Sequence, residues 1–151
     1  MWSERTLVLI KPDAVERELI GEILTRVERK GLTIRGMKMV RCTPELAKLH
    51  YAVHLDKAFY PRLEKFICSA PLVAMVLEGN NAITVVRSLV GPTDCCLAPP
   101  GTIRGDLGCS KGANLVHASD SESASAAEIK IWFPEGLLDW RRADQDWLSA
   151  E

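Results

Sequence analysis

The chemistry in this chain gathers around one imidazole. His117 lies in Asn114-Leu115-Val116-His117-Ala118-Ser119-Asp120-Ser121-Glu122, and it is the only histidine after His54. A short extended run through Leu115 and Val116 ends at His117. Ser119-x-x-Glu122 then matches a capping box, which predicts a helix start at Ser119 and Asp120. A helix start offers free N–H groups and partial positive charge, both suited to a phosphate. A neutral imidazole held at one nitrogen is a competent nucleophile at the other. The same residue could instead be a strand-end histidine satisfied by a backbone carbonyl, and spacing alone leaves both readings open.

Other groups could join this chemistry. Lys11 closes the apolar run Thr6-Leu7-Val8-Leu9-Ile10 and so sits at the carboxyl end of a strand, where ligand-binding groups gather. It could equally snorkel there. His50-Tyr51-x-x-His54 sets two histidines four apart on one predicted helix face, a zinc-like spacing without the glutamate or a third ligand. Arg87 falls on the polar side of a predicted helix. Arg104 lies in a loop of turn-formers from Pro99 to Asp106. Glu128 leans to the side of Ala124 and Ile131, which is costly for an unpaired carboxylate. A salt-bridged surface position is the alternative.

Asn114-x-x-His117-Ala118-Ser119-Asp120 resembles the active-site signature of nucleoside diphosphate kinases, Asn-x-x-His-Gly-Ser-Asp. Pro100-Gly101-Thr102-Ile103-Arg104-Gly105-Asp106 and Lys11-Pro12-Asp13-Ala14-Val15 are similar to the same family, and the resemblance runs from about Arg5 to Trp147. It implies transfer of the γ-phosphate of a nucleoside triphosphate, typically ATP, to a nucleoside diphosphate by a ping-pong route through phosphohistidine on His117. It implies catalytic roles for Glu128, Ser119, Lys11 and Tyr51. Glu128 would orient or polarise His117, through Ser119. Nucleotide contacts would come from Lys11, Phe59, Arg87, Thr93, Arg104 and Asn114, with Phe59 stacking on the base. Stacking needs only a π-face, which suits broad base specificity. Mg²⁺ is expected to arrive on the nucleotide, with no dedicated protein ligands. The resemblance also implies a homo-oligomer, a hexamer in the family. The chain departs from the family at Cys95-Cys96, Leu107, Ala113 and Ala118. Ala118 matters only if its backbone requires positive φ.

The elements that must hold these groups are legible as patterns. Thr6–Ile10 and Pro71–Leu77 read as buried strands. Leu19 to Val27 follows helical spacing, with Gly31 as a stop. Leu32 to Cys42 reads as a strand with one partly exposed face. Thr43 and Pro44 open a helix as N-cap and N1. Short helices are predicted from Ala58 to Ile67 and from Ala82 to Leu89. Gly91 to Ala113 reads as a long functional loop, and a final helix runs from Ser121 towards Trp132. The order is close to βαββαβ: a ferredoxin-like α+β fold, four antiparallel strands with helices packed on one face. Leu137 to Trp147 is too apolar for a disordered tail. It resembles the C-terminal arm of longer family members, which packs on a neighbouring subunit. Packing on its own domain is the alternative.

At 151 residues the chain is expected to be one domain, 1–151, with an arm from about 135 to 151. A net charge of −1 gives no general pull towards nucleic acid or anionic membrane. No GxxxxGK[ST] occurs, which excludes a P-loop site, and no aromatic-rich strand suits RNA. Five cysteines without a C-x-x-C pair argue for free thiols rather than zinc or a disulfide framework. No leader and no apolar run near ~20 residues is visible. The expected location is the cytoplasm.

Overall fold

The computed structural model describes residues 4–150; Met1 to Ser3 and Glu151, which the limits 1–151 include, lie outside the described residues. β1 (Glu4–Ile10) is followed by α1 (Pro12–Glu16), α2 (Ile20–Arg29) and β2 (Thr33–Val40). Next come α3 (Pro44–His50), a 3-10 turn (Ala52–His54), α4 (Tyr60–Ile67), β3 (Leu72–Gly79) and α5 (Ala82–Val90). The chain ends in α6 (Ile103–Leu107), β4 (Val116–Ala118), α7 (Glu122–Trp132) and α8 (Gln145–Leu148).

The strands form one antiparallel sheet in the order β2-β3-β1-β4. This is the ferredoxin-like order, with β1 and β3 at the centre and β2 at an edge. The helices are not confined to one face, as the sequence had suggested. Val8, Ile10, Met75 and Leu77 face a core built with Ile23, Val27 and Val86 from α2 and α5. Leu7, Leu9, Ala74 and Val76 face a second core, closed by Ala47, Tyr60, Ile67 and Trp132 from α3, α4 and α7. Apolar groups therefore occur at every position from Leu7 to Ile10 and Leu72 to Leu77, because alternate residues enter different cores.

Local signals set the ends of the helices. Thr43 caps α3 by accepting from Leu46 N, with Pro44 in the first turn, as expected. Pro12 does not simply stop β1; it opens the unanticipated α1, with Lys11 as its N-cap residue. The long loop after α5 is partly ordered by α6, capped by Thr102. Gly105 is required there, since a Cβ would come within 2.0 Å of the Pro99 carbonyl.

The C-terminal segment folds back on its own domain along the edge strand. Leu138 N donates to Arg35 O, Trp140 Nε1 to Ile34 O, and Arg142 to the carbonyls of Gly31 and Leu32. No helix among the described residues is long and apolar enough to cross a membrane.

Candidate active site

β4 is short because its task is local. It pairs with β1 at Val8–Ala118, Leu9–His117 and Ile10–Val116, which puts His117 beside the end of the central strand. α7 packs across that strand and brings Glu128 to the ring. His117 Nε2 lies 2.8 Å from Glu128 Oε1 and 3.2 Å from Oε2. Ser119 Oγ donates to Glu128 Oε1 at 2.7 Å and accepts from Leu7 N at 3.2 Å. An ionised carboxylate only accepts, so Nε2 donates and carries the ring proton. Nδ1 is left with its lone pair.

The capping box does not form at Ser119. Ser121 caps α7 by accepting from Ala124 N. Ser119 belongs instead to the His117–Glu128 network, where its hydroxyl helps hold the carboxylate still. Ala118 is absent from the non-glycine residues with positive φ, so its methyl costs no backbone strain.

The strain lies at Leu115, which has φ 75° and is fully buried. Val116 N reaches back to Asn114 O across it, a three-residue turn. Surrounding groups hold the turn. Leu115 N donates to Asp13 Oδ2, and Lys11 N donates to Leu115 O. Arg104 donates from Nε to Asn114 O, from Nη1 to Gly91 O and from Nη2 to Val116 O. Its buried guanidinium thus binds three backbone carbonyls at once, one after α5 and two flanking Leu115.

Asn114 Oδ1 accepts from Lys11 Nζ at 2.9 Å, and Asn114 Nδ2 donates to Thr93 O at 3.1 Å. Lys11 is nearly enclosed, and its pKa falls from 10.5 to about 8. Burial is the main cause, the Arg104 charge adds to it, and Asp13 and Cys95 oppose it. Burial and the Arg87 charge also lower Arg104. Arg87 is exposed on α5, with Nη1 3.4 Å from Ala118 O. Thr93 is exposed on the loop. Lys11 and Arg104 lie buried near one another with Asp13 beside them, and Arg87 lies at the surface next to Ala118 O; these cations suit an anion with several oxygens.

Phe59 precedes α4 and keeps 52% of its surface exposed, with its ring 5.6 Å from that of His54. An exposed aromatic face can accept a flat heterocycle. Tyr51 is buried at the end of α3, and burial pushes its hydroxyl well above the ordinary phenol range.

His50 and His54 do not share a helix face. α3 ends at His50, and His54 closes the following 3-10 turn. The His50 ring meets that of His117 edge to face, centroids 4.5 Å apart at 82°. Its Nδ1 accepts from Trp132 Nε1 at 3.0 Å. His50, His117 and Glu128 each bring one ligand-type atom within 4.8 Å of the others. That set is already committed: Glu128 serves His117 and Ser119, and Trp132 occupies His50 Nδ1. A bare Mg²⁺ also prefers oxygen ligands with near-octahedral geometry, which this nitrogen-rich site does not offer.

Sequence reasoning named Lys11, Tyr51, Phe59, Arg87, Thr93, Arg104, Asn114, His117, Ser119 and Glu128. Hydrogen bonds join Lys11, Asn114, Arg104 and the Thr93 carbonyl, and a second network joins His117, Ser119 and Glu128. Arg87 reaches Ala118 O, while Tyr51 and Phe59 connect to His117 through the rings of His50 and His54. Sequence reasoning weighed His50 only as half of a zinc-like pair and Asp13 only within a motif, and it missed the bond from Trp132 to His50, the bond from Leu115 N to Asp13 and the turn at Leu115. One signal was available: Glu128 and Trp132 are spaced i, i+4 on a helix, so both look the same way.

A family model described as nucleoside diphosphate kinase matches residues 4–137. A relative from Archaeoglobus fulgidus named nucleoside diphosphate kinase is 51% identical over 98% of this chain and 99% of its own. One of the same name from Cutibacterium acnes is 57% identical over 87% of this chain and 96% of its own. A solved structure of a halophilic nucleoside diphosphate kinase from Halobacterium salinarum, in complex with CDP, superposes with a TM-score of 0.94 at 50% identity, covering 97% of this chain and 98% of that one.

Proposed function

The chain belongs to the nucleoside diphosphate kinase family and is a phosphotransferase; from that premise we propose that it moves a phosphoryl group between nucleotides through His117. The substrate is the magnesium complex of a nucleoside triphosphate, typically ATP. Nδ1 attacks the γ-phosphorus, the N–P bond forms, and the bridging oxygen leaves with its electron pair on the nucleoside diphosphate. Positive charge developing on the ring is met at Nε2–H by Glu128, which Ser119 holds in place. The diphosphate departs. A terminal phosphate oxygen of a second diphosphate attacks the same phosphorus, the N–P bond breaks, and its electrons return to Nδ1. The covalent intermediate divides one step into two and lets one site serve both nucleotides.

Lys11, Arg87 and Arg104 position the phosphates and offset their charge, with Thr93 and Asn114 beside them. Asn114 also keeps Lys11 aimed. Tyr51 lines the reacting end. Phe59 stacks on the base without reading its edge, so base selectivity is broad. The CDP complex of the Halobacterium relative supports a nucleotide in this cleft.

Residues 1–151 form one such domain, with a C-terminal arm from about 135. The working form is a cytoplasmic homo-oligomer, a hexamer by likeness to the family. Exposed Met37, Met39 and Leu138 along the β2 edge favour a protein neighbour there.

The observation that carries the mechanism is the Nε2–Glu128 contact, which leaves Nδ1 free. The protein is incubated with Mg²⁺ and γ-labelled ATP without acceptor, beside His117→Ala. We expect acid-labile, alkali-stable label on the wild type alone, discharged by GDP. ATP binding without label would sink the relay.

A further inference from the structure

We propose that His50, locked by Trp132, is a positioning residue that fixes the plane of the His117 ring. This rests on the reading of His117 as nucleophile. The contact with Glu128 fixes one point of the imidazole, Nε2. It does not stop the ring turning about the axis through that point. The Nδ1 lone pair lies in the ring plane, so turning swings it off the line to phosphorus. In-line attack tolerates little of that.

The His50 ring lies across this motion, perpendicular to His117 within 8° (82°) and 4.5 Å away between centroids. Edge-to-face packing is a preferred arrangement of such rings. His50 is itself held from the far side. Trp132 Nε1 donates to its Nδ1, which must therefore be unprotonated, and the neutral ring carries its proton on Nε2. Trp132 is almost fully enclosed in the second core and makes a further ring contact with His50, 5.5 Å between centroids. Burial first, then the charges of His117, Lys11 and His54, depress the His50 pKa to about 2, so no second cation forms beside His117.

α7 therefore controls the imidazole twice. Glu128 acts directly along Nε2. Trp132, one turn further on, acts through His50 across the ring plane. The tautomer also disfavours metal capture by His50, since ligation through Nε2 would need the proton moved to Nδ1 and the Trp132 bond broken.

The test is single-turnover transfer of the γ-label from Mg·ATP to His117. It compares wild type, Trp132→Phe, His50→Ala and His50→Phe, with ADP affinity by calorimetry and Tm alongside. Trp132→Phe keeps an aromatic ring, removes the N–H donor and leaves a smaller side chain in the core, a packing loss that the Tm reports. We expect transfer about 10-fold slower in Trp132→Phe and about 100-fold slower in His50→Ala, with ADP affinity within about twofold. His50→Phe restores a flat ring and recovers part of the loss. The proposal is overturned if folded Trp132→Phe transfers at the wild-type rate. It is also overturned if His50→Phe is no faster than His50→Ala, or if rate and ADP affinity fall together. Should His50→Ala not fold, Trp132→Phe decides alone. An unlabelled wild type would fail the relay itself and take this proposal with it. A labelled wild type with unaffected variants fails only the positioning role.

Discussion

Lys11 shows what enclosure does to a single charge. In water its ammonium would stay charged to pH 10.5; in this site the value falls to about 8. The charged form is thus disfavoured until an anion arrives. The sign follows. Between pH 8 and 10.5 the folded protein without ligand holds fewer protons than the unfolded chain, so Lys11 adds stability as pH rises through that window. Phosphate binding does the opposite, because it favours the ammonium. Nucleotide binding should therefore take up a proton above pH 8, and ADP affinity should weaken by up to about tenfold per pH unit there. Calorimetry in buffers of different ionisation enthalpy measures the proton directly. Lys11→Arg should bind without that uptake, and equal uptake by both proteins would remove Lys11 as the source.

At the scale of elements, the site depends on a few backbone segments held at one point. Arg104 makes three bonds to the carbonyls of Gly91, Asn114 and Val116, on both sides of the strained turn at Leu115. Only a planar fork spans them, and an ammonium is a point charge. Arg104→Lys should keep the charge but release the turn. We expect transfer slower by about 100-fold, as for loss of a positioned donor, together with a lower Tm. A variant with the full Tm loss but wild-type rate would show that the turn does not align the reacting groups. This dependence also explains what the sequence made legible. Thr43 and Pro44 announced α3 because capping is local chemistry. The two apolar strands announced the sheet because burial on both faces leaves continuous runs. The helical side of Glu128 pointed only to a carboxylate in need of a partner; that the partner is His117 was implied by the family resemblance. The cap at Ser121 was misplaced to Ser119, since both serines stand three residues before a residue able to complete a helix start, and only the demand of Glu128 for a donor separates them. Leu115 was invisible because positive φ in leucine is imposed by partners at Asp13, Lys11 and Arg104, all distant in sequence.

The whole molecule closes its exposed edge with charge. Glu78 lies on β3 under the edge strand, accepting from Arg35 at 2.6 Å and from Arg5 at 2.7 Å. Arg35 in turn donates to Trp140 O and lies under the Trp140 ring, so one carboxylate anchors the C-terminal arm through a buried arginine. Burial alone would raise the Glu78 carboxyl. The hydrogen bonds and charges of Arg35 and Arg5 outweigh it and hold the group below its ordinary 4.5. A depressed carboxyl contributes stability that is complete above the unfolded value and is lost as pH falls through the folded one. Glu78→Gln removes that term and leaves the buried Arg35 charge with only the exposed Asp139 at 3.7 Å, at a cost of about 3 kcal/mol near neutral pH. Melting curves of wild type and variant should then lie far apart at pH 7 and converge as pH drops below 4.5. Trp140 fluorescence should report a loosened arm in the variant at every pH, and in the wild type only in acid. A gap in Tm that stays constant down to pH 3 would mean that Glu78 titrates as an ordinary carboxyl. The arm would then be held by its backbone bonds to the β2 edge alone.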